Sequence, residues 1–568
     1  MLNRFAILIS ALCFSSGALS NEKPNILLII ADDLGFSDLG CYGGEIETPH
    51  LDSLAEAGLR YSQFYNTARC WPTRSSLLTG FYAQQIRRDS LPDIPSGGRG
   101  ERPDWASLLP KLLQPAGYRS YHTGKWHIDG MPLESGFDRS YYLKDQGRFF
   151  SPEVHYLDDE KLPPVERGNG YYATTALSDH VIEVLQEHAE QFADRPFFHY
   201  LAFAAPHFPL HALPEDIALY DEVYRPGWEA IRKSRWQRIQ ELGLLKPGSV
   251  LQPSAPETHL GPPYHFPDAF DILGPGEIGV PAPWKSLTEL QKGFQTKKMA
   301  IHAAMIHRMD LEIGRVLDQI RAMGVEKDTL VMFLSDNGAS AEIMVRSDGH
   351  DPEAEPGSAA TYLCLGPGWS TACNTPFRRH KTWTHEGGTS TPFIISWPNG
   401  IDATGEIRHT PGHVIDVVPT LLELTEMTLD ANAPKSPGKS LVPTFKGDTT
   451  NPHEALWWFH DQHKAIRIGD WKAVSPKDEP WELYDLSRDR IESNDLSQSH
   501  PEKLQQLVSE WEHLTTDFIQ LATEDLSPEQ LAKAKGKQDR PDAMLKAQEE
   551  ARKNALERDE TEERKQNR

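Results

Sequence analysis

Short, continuous apolar runs bounded by turn-forming residues punctuate the first 400 positions of the chain. Runs of this kind predict strands buried on both faces of a sheet. They fall at residues 26–31, 118–122, 197–205, 330–334 and 393–397. Helical spacing lies between them. Thr48 and Pro49 open one segment, and Gly58 closes it. Apolar residues recur at helical intervals over 104–113, 173–192 and 298–323, the last through Ile301, Met305, Met309, Ile313, Val316, Leu317 and Ile320. Strand alternating with helix predicts an α/β fold built on a large, mainly parallel sheet flanked by helices.

The pattern changes near residue 430. Segments 465–468, 471–474 and 481–484 read as short strands of a meander, and 501–519 as a helix. The organisation this predicts is a main domain over 21–430 and a smaller C-terminal α+β domain over 431–524. Residues 525–568 carry equal numbers of acidic and basic side chains and few apolar ones, which predicts an exposed helical or disordered tail. At the other end, Arg4 precedes an apolar run over 5–14, and small residues lead to Ala18-Leu19-Ser20. That is the pattern of a cleaved signal peptide, 1–20, and predicts an exported protein, periplasmic or secreted. No later stretch has the length of a membrane span, so stable membrane insertion is not expected.

Charge narrows the function classes. The 568 residues carry 58 Lys+Arg against 82 Asp+Glu, a formal charge of −24. Nucleic acid is not an expected partner of so acidic a chain. Five cysteines do not make a disulfide scaffold. Cys364 and Cys373 lie close together in a loop and are candidates to pair.

The chemistry-bearing residues sit just after the buried runs. Asp32-Asp33 follows the first. Gly124-Lys125-Trp126-His127 follows the second, Pro206-His207 the third, and Ser335-Asp336-Asn337-Gly338 the fourth. Ligands of open α/β sheets bind at the carboxyl ends of strands, so these clusters are expected to converge. Asp and Asn also favour turns and caps. Two such pairs at equivalent strand ends nonetheless favour a site for a hard divalent cation, Ca²⁺ or Mg²⁺. Cys70-Trp71-Pro72-Thr73-Arg74 precedes Ser75–Gly80, with Pro72 suited to a first helical turn and Gly80 to a stop. Cys70 would then lie near a helix N-terminus, where an anion is favoured, with Arg74 adding a fixed positive charge.

Cys70-x-Pro72-x-Arg74 resembles the signature of the type I, formylglycine-dependent sulfatases, of the alkaline-phosphatase-like superfamily. The surrounding motifs occur in that family's order. They are Asp32-Asp33, Gly124–His127, Ala205-Pro206-His207, Ser335–Gly338, Lys381 before Glu386-Gly387-Gly388, and His413–Asp416 before Pro419-Thr420-Leu421. Segments 209–212 and 374–379 resemble bacterial arylsulfatase-like members. The resemblance spans roughly residues 24–520 and departs at Trp71, which is bulky where the signature usually has a small residue.

The resemblance implies hydrolysis of sulfate monoesters, of a carbohydrate or an aryl alcohol. It implies oxidation of Cys70 to Cα-formylglycine by a formylglycine-generating enzyme. The metal ligands would be Asp32, Asp33, Cys70, Asp336 and Asn337, around Ca²⁺, with Mg²⁺ as the alternative. Arg74 and Lys125 would hold the modified side chain, His127 would accept a proton, and His207 and Lys381 would bind sulfate oxygens. His211 and His385 match the shared pattern less well and are candidate substrate contacts. Specificity is expected in the loops 138–170, 209–283 and 348–372. The alternatives are a phosphonate monoester or phosphodiester hydrolase of the same superfamily, and a catalytically silent binding homologue.

Overall fold

A computed structural model of the protein describes residues 23–92, 94, 100–245, 251, 267–346 and 348–536. The segment 1–20 expected to be a signal peptide and most of the charged tail lie outside these residues. The main sheet contains eleven strands: β1 (Asn25–Ala31), β2 (Leu59–Tyr65), β3 (Arg119–Gly124), β4 (Arg139–Leu143), β5 (His155–Leu157), β6 (Glu160–Lys161), β7 (Phe197–Ala202), β8 (Thr329–Ser335), β9 (Ser390–Ser396), β10 (Glu406–Arg408) and β11 (Gly412–His413). Their order is β10-β2-β9-β8-β1-β7-β3-β4-β5-β6, with β11 also on β2. The centre, β8-β1-β7-β3-β4, is parallel; β9 is antiparallel to both its neighbours.

Central strands read as continuous apolar runs because both faces are covered. Along β1 the side chains alternate. Leu27, Ile29 and Ala31 join the core that includes the long helix Glu289–Ala322. Ile26, Leu28 and Ile30 join the opposite core, with Leu77, Leu78, Val417 and Leu421. Register then fixes where the strands end. Ala31 pairs with Ser335, Ile30 with Ala202, and Ala202 with Gly124. The carboxyl ends of β8, β1, β7 and β3 therefore finish side by side, as the strand-end argument expected.

A second, antiparallel sheet holds β12 (Leu456–His460), β13 (His463–Ile468), β14 (Trp471–Ser475) and β15 (Glu482–Asp485). The helix Pro501–Thr523 lays Leu507, Trp511 and Phe518 against Trp457, Phe459, Ile466 and Ala473. A buried ionic cluster joins this sheet to the main one. Lys472 Nζ lies 2.9 Å from Glu386 Oε1 and 2.8 Å from Glu492 Oε1, and Arg490 Nε donates to Glu386 Oε2 at 3.1 Å.

Three local expectations change. The helix expected over 104–113 is confined to Leu109–Leu113. Pro110 has no N–H to donate and its ring would clash with a helical carbonyl four residues earlier, so the helix can begin only just before it. The helix expected from 298 begins at Glu289 instead. Thr288 and Gln291 form a reciprocal capping box there, ahead of the apolar stripe. Cys364 and Cys373 are both free thiols. They face different neighbours: Cys364 Sγ lies 3.5 Å from the Met344 carbonyl, Cys373 Sγ 3.7 Å from His302 Nε2.

Candidate active site

The strand ends converge as follows. The Asp32 N–H donates to the Ala205 carbonyl at 3.0 Å, and the Asp336 N–H to the Ala31 carbonyl at 3.1 Å. These bonds carry the ladder one residue past β1 and β8 and set the two carboxylates beside each other. Asp33 then turns into the left-handed region, φ 66°, as does His127, φ 57°. Non-glycine residues rarely occupy that region, and such strain concentrates at functional sites. Gly124, φ 115°, ends β3 where an added Cβ would stand 1.9 Å from the Ala202 carbonyl oxygen. Only glycine fits there, and the turn it makes delivers Lys125.

Cys70 opens the helix Cys70–Thr79 and is 3% exposed. Gly80, φ 77°, stops the helix, its N–H donating to the Ser76 carbonyl at 2.9 Å. One turn in, Arg74 is fully buried, with Nη2 2.8 Å and Nε 2.9 Å from Asp336 Oδ2. Lys125 Nζ is bonded to Asp32 Oδ2. Lys381 Nζ lies 2.7 Å from Asp33 Oδ1 and 3.4 Å from Glu342 Oε2. The Asn337 amide donates to Asp33 Oδ1 at 2.7 Å. His207 Nδ1 donates to the Phe208 carbonyl at 2.5 Å, leaving Nε2 3.7 Å from Asp33 Oδ2.

All ten residues expected at the site therefore stand in one buried cluster or on its edge. His385 does not; its Nε2 lies 2.9 Å from Glu482 Oε2 of the small sheet. Three residues were missed by sequence reasoning. Glu342 faces both Lys381 and Arg69, the latter at 3.0 Å. Arg69 also lies over the Trp71 ring, 5.2 Å from its centroid. Gln146 Nε2 sits 2.9 Å from His127 Nε2. Glu342 and Gln146 lie in irregular segments with no periodicity to mark them.

The cluster suits a hard divalent cation. Ligand atoms of Asp32, Cys70 and Asp336 lie within 4.8 Å of one another, as do those of Asp32, Asp33 and His207. Asp32 Oδ1 and Asn337 Oδ1 are buried oxygens with no hydrogen-bond partner among the described residues. A buried acceptor left unpaired is costly, and an ion would satisfy both. Burial and the neighbouring Asp32 carboxylate push Asp336 up to about 7. Burial opposes ionisation of Asp32 too, but Lys125, with His207, Arg74 and Lys381 behind it, holds that carboxyl well below its usual range. The four cations Arg69, Arg74, Lys125 and Lys381 balance the four carboxylates Asp32, Asp33, Asp336 and Glu342. A bound divalent ion would leave the site net positive and ready for an anion.

The thiol itself is a poor nucleophile here. Burial pushes Cys70 up, against the pull of Lys125 and Lys381. Burial likewise keeps His127 and His207 neutral, His127 well below its ordinary value and His207 at about 4.

The sulfatase family model matches residues 24–427, and the model of the N-sulphoglucosamine sulphohydrolase C-terminal region matches 378–518. The chain belongs to the sulfatase family and is a sulfuric ester hydrolase. An uncharacterized sulfatase of Schizosaccharomyces pombe is 32% identical, covering 86% of this chain and 93% of its own length. An arylsulfatase of Klebsiella aerogenes is 31% identical over 74% of this chain and 90% of its own. An N-acetylgalactosamine-6-O-sulfatase of Bacteroides thetaiotaomicron is 25% identical, over 88% and 94%. Among solved structures, Ps i-CgsB in complex with k-i-k-neocarrahexaose shares the fold with a TM-score of 0.63 and 23% identity, covering 92% of this chain and all of that one. Membership implies a metal ion and a formylglycine. The residues above fit both.

Proposed function

We propose that the protein removes sulfate from a sulfated carbohydrate, with aryl sulfates as accessory substrates, through the two hydroxyls of a hydrated formylglycine at position 70. The observation that carries this reading is the position of Cys70. It heads a buried helix beside two carboxylates, Asp32 and Asp336, and within the pull of two lysines, Lys125 and Lys381. The carbohydrate class rests on the similarity to the galactosamine sulfatase.

Asp32, Asp33, Asp336, Asn337 and residue 70 would hold the ion, Ca²⁺ by preference for an all-oxygen shell. Bound there, it supplies positive charge to the attacking and equatorial oxygens. Arg74 and Lys125 fix the carboxylates and residue 70. One hydroxyl of residue 70 passes its proton to the Asp336 carboxylate beside it and attacks sulfur, and the S–O bond to the alcohol breaks. The leaving oxygen takes a proton from Lys381, the cation at Asp33. His127 then accepts the proton of the other hydroxyl. The aldehyde C=O re-forms, the bond to sulfate breaks, and water restores the diol. The Gln146 amide N–H donates to His127 Nε2 at 2.9 Å and so fixes the ring, whose Nδ1 has no partner among the described residues. A serine or an unmodified cysteine lacks the second hydroxyl, which is the chemical reason for the modification.

The same reading takes the protein as exported, with the formylglycine-generating enzyme as its maturation partner and the division near residue 430 as a domain boundary. Among the described residues no helix is long and apolar enough to cross a membrane. The test is turnover of 4-nitrophenyl sulfate and of monosulfated sugars by protein with and without divalent metal, and by Cys70→Ala. Sulfate release that needs both residue 70 and metal is the expected result. Activity retained in Cys70→Ala, or indifferent to chelation, would refute it.

A further inference from the structure

A second set of metal-ligating side chains meets in the core, outside the cluster described above. Asp38, His302 and Cys373 each offer one donor atom, and these lie within 4.8 Å of one another. Asp38 stands in the turn that follows Asp33, where its Oδ2 accepts the Gly35 N–H at 2.9 Å. His302 lies on the long helix Glu289–Ala322, and Cys373 ends the helix Gly366–Cys373. Met299, one turn before His302 on the same helix face, sets its Sδ 4.0 Å from Cys373 Sγ. All four side chains are buried, at 1% exposure or less. The segments pack without slack: a Cβ on Gly35 would stand 2.5 Å from the Cys373 carbonyl carbon.

Two independent observations point to a metal ion. The first is spacing. His302 Nε2 lies 3.7 Å from Cys373 Sγ and 3.2 Å from Asp38 Oδ2. Tetrahedral zinc, with bonds of about 2.3 Å to sulfur and about 2.0–2.1 Å to nitrogen and oxygen, sets those two edges at about 3.6 and about 3.3 Å. An ion at the centre would take the place of the Nε2 and Sγ hydrogens and displace no heavier atom. The second is charge. Arg235 Nη1 lies 2.7 Å from Asp38 Oδ1, but its Nε and Nη2 are both taken by Glu45, at 2.8 and 2.7 Å. One guanidinium thus meets two carboxylates, and one negative charge is left facing the His302 ring and the Cys373 thiol. Burial opposes ionisation of Asp38, yet Arg235 and His302 hold its carboxyl well below its ordinary range, so the charge persists. Burial and Asp38 push the free Cys373 thiol up, so without a metal it keeps its proton.

We infer that Asp38, His302 and Cys373 form a buried structural zinc site, with the Met299 thioether as the fourth donor. Binding releases the Cys373 thiol proton to solvent and moves the His302 ring proton from Nε2 to Nδ1. Nδ1 has no partner among the described residues, so the move breaks no bond there. A dication and a thiolate in place of a thiol take the cluster from one net negative charge to none. The donors sort two metals between two sites. Sulfur and imidazole here select a borderline soft ion, whereas the oxygens of Asp32, Asp33, Asp336 and Asn337 select a hard one. The ligands come from three segments far apart in the chain. The ion is therefore captured as the chain folds, and it pins the turn after Asp33 to two helices.

The test is the metal content of the untagged full chain, produced in medium supplied with zinc and exchanged into excess Ca²⁺ so that the oxygen-rich active site holds calcium. About one zinc per chain should remain, measured by inductively coupled plasma mass spectrometry. Produced with Co²⁺ instead, in a Cys70→Ser background that leaves the active site without a thiolate, the chain should show a thiolate-to-cobalt charge-transfer band and the intense visible bands of tetrahedral cobalt. Cys373→Ser should abolish the charge-transfer band, and His302→Gln should lower zinc content at least about tenfold. Cys364→Ser should change neither. Zinc-free wild-type protein would overturn the site. So would a charge-transfer band that survives Cys373→Ser, or zinc that both variants retain, which would be an ion bound elsewhere. Wild-type zinc content and the cobalt spectrum decide the question where a variant fails to fold, and neither depends on sulfatase turnover.

Discussion

His127 combines a strained backbone with a buried, neutral ring held at one nitrogen by Gln146. A general base contributes about 10²- to 10⁴-fold, so His127→Ala should lose turnover in that range. Gln146→Ala keeps the ring but frees its orientation, and should lower kcat by about 10-fold with a smaller change in KM. Steady-state kinetics on an aryl sulfate separates the two, and an unaltered kcat in Gln146→Ala would remove the residue from the mechanism. The difference between these neighbours also marks what was legible in the chain. Cys70, Arg74 and the Asp and Lys residues are fixed by short motifs at strand and helix ends, where spacing carries the message. Gln146 and Glu342 reach the centre because irregular segments fold back on it, and nothing local in the sequence encodes that return.

At the scale of elements, the site depends on where strands stop. Gly124 shows how tightly. Its left-handed backbone and the Ala202 carbonyl at 1.9 Å from an added Cβ exclude any side chain. Gly124→Ala should destabilise the fold by more than about 2 kcal/mol in urea denaturation, and displace Lys125 enough to abolish activity in whatever protein folds. An active, stable variant would show that the turn tolerates rearrangement. The central strands were readable because burial on both faces makes them apolar throughout. β2 was not: Leu59–Tyr65 contains Arg60, Ser62 and Gln63, whose polar atoms bond to neighbouring loops. Pro110 set a helix boundary that the apolar spacing ran across. The small sheet was predicted without β12, whose Leu-Trp-Trp-Phe-His run has no alternation to identify its faces.

At the scale of the molecule, two features govern stability. The first is the ionic cluster between the sheets. Lys472 is fully buried between Glu386 and Glu492. Lys472→Ala would strand a buried carboxylate and should cost about 3–5 kcal/mol. A loss under 1 kcal/mol in chemical denaturation would mean the sheets are joined by apolar packing alone. The second is a group of buried histidines on two strands of the main sheet and on the helix Ala173–Gln191 packed against them. Thr123 Oγ1 lies 2.8 Å from His180 Nδ1 and 2.9 Å from His199 Nε2, and His122 is adjacent. Burial lowers His122 to about 3, His180 to about 4, and His199 well below its ordinary value. A group whose folded pKa is depressed contributes stability above its unfolded pKa, roughly 6.5, and loses it as pH falls toward the folded value. Each such histidine contributes a slope of about 1.4 kcal/mol per pH unit in that window. Asp310, Asp336 and Glu492, each raised to about 7, act in the opposite sense. The lowered histidines outnumber them, also including His207, His211, His385 and His463. The urea midpoint should therefore fall between pH 6.5 and 4. His180→Gln should make that fall shallower; an unchanged profile would exclude the histidine group as its cause.

Residue 70 carries the chemistry, and the mass of the peptide that contains it is the most direct measurement. In protein matured in the presence of a formylglycine-generating enzyme able to act on this Trp71-containing motif, the expected result is a peptide about 18 Da lighter than the cysteine form, reactive toward aldehyde probes, and in proportion to sulfatase activity. Unmodified cysteine in fully active protein would contradict it.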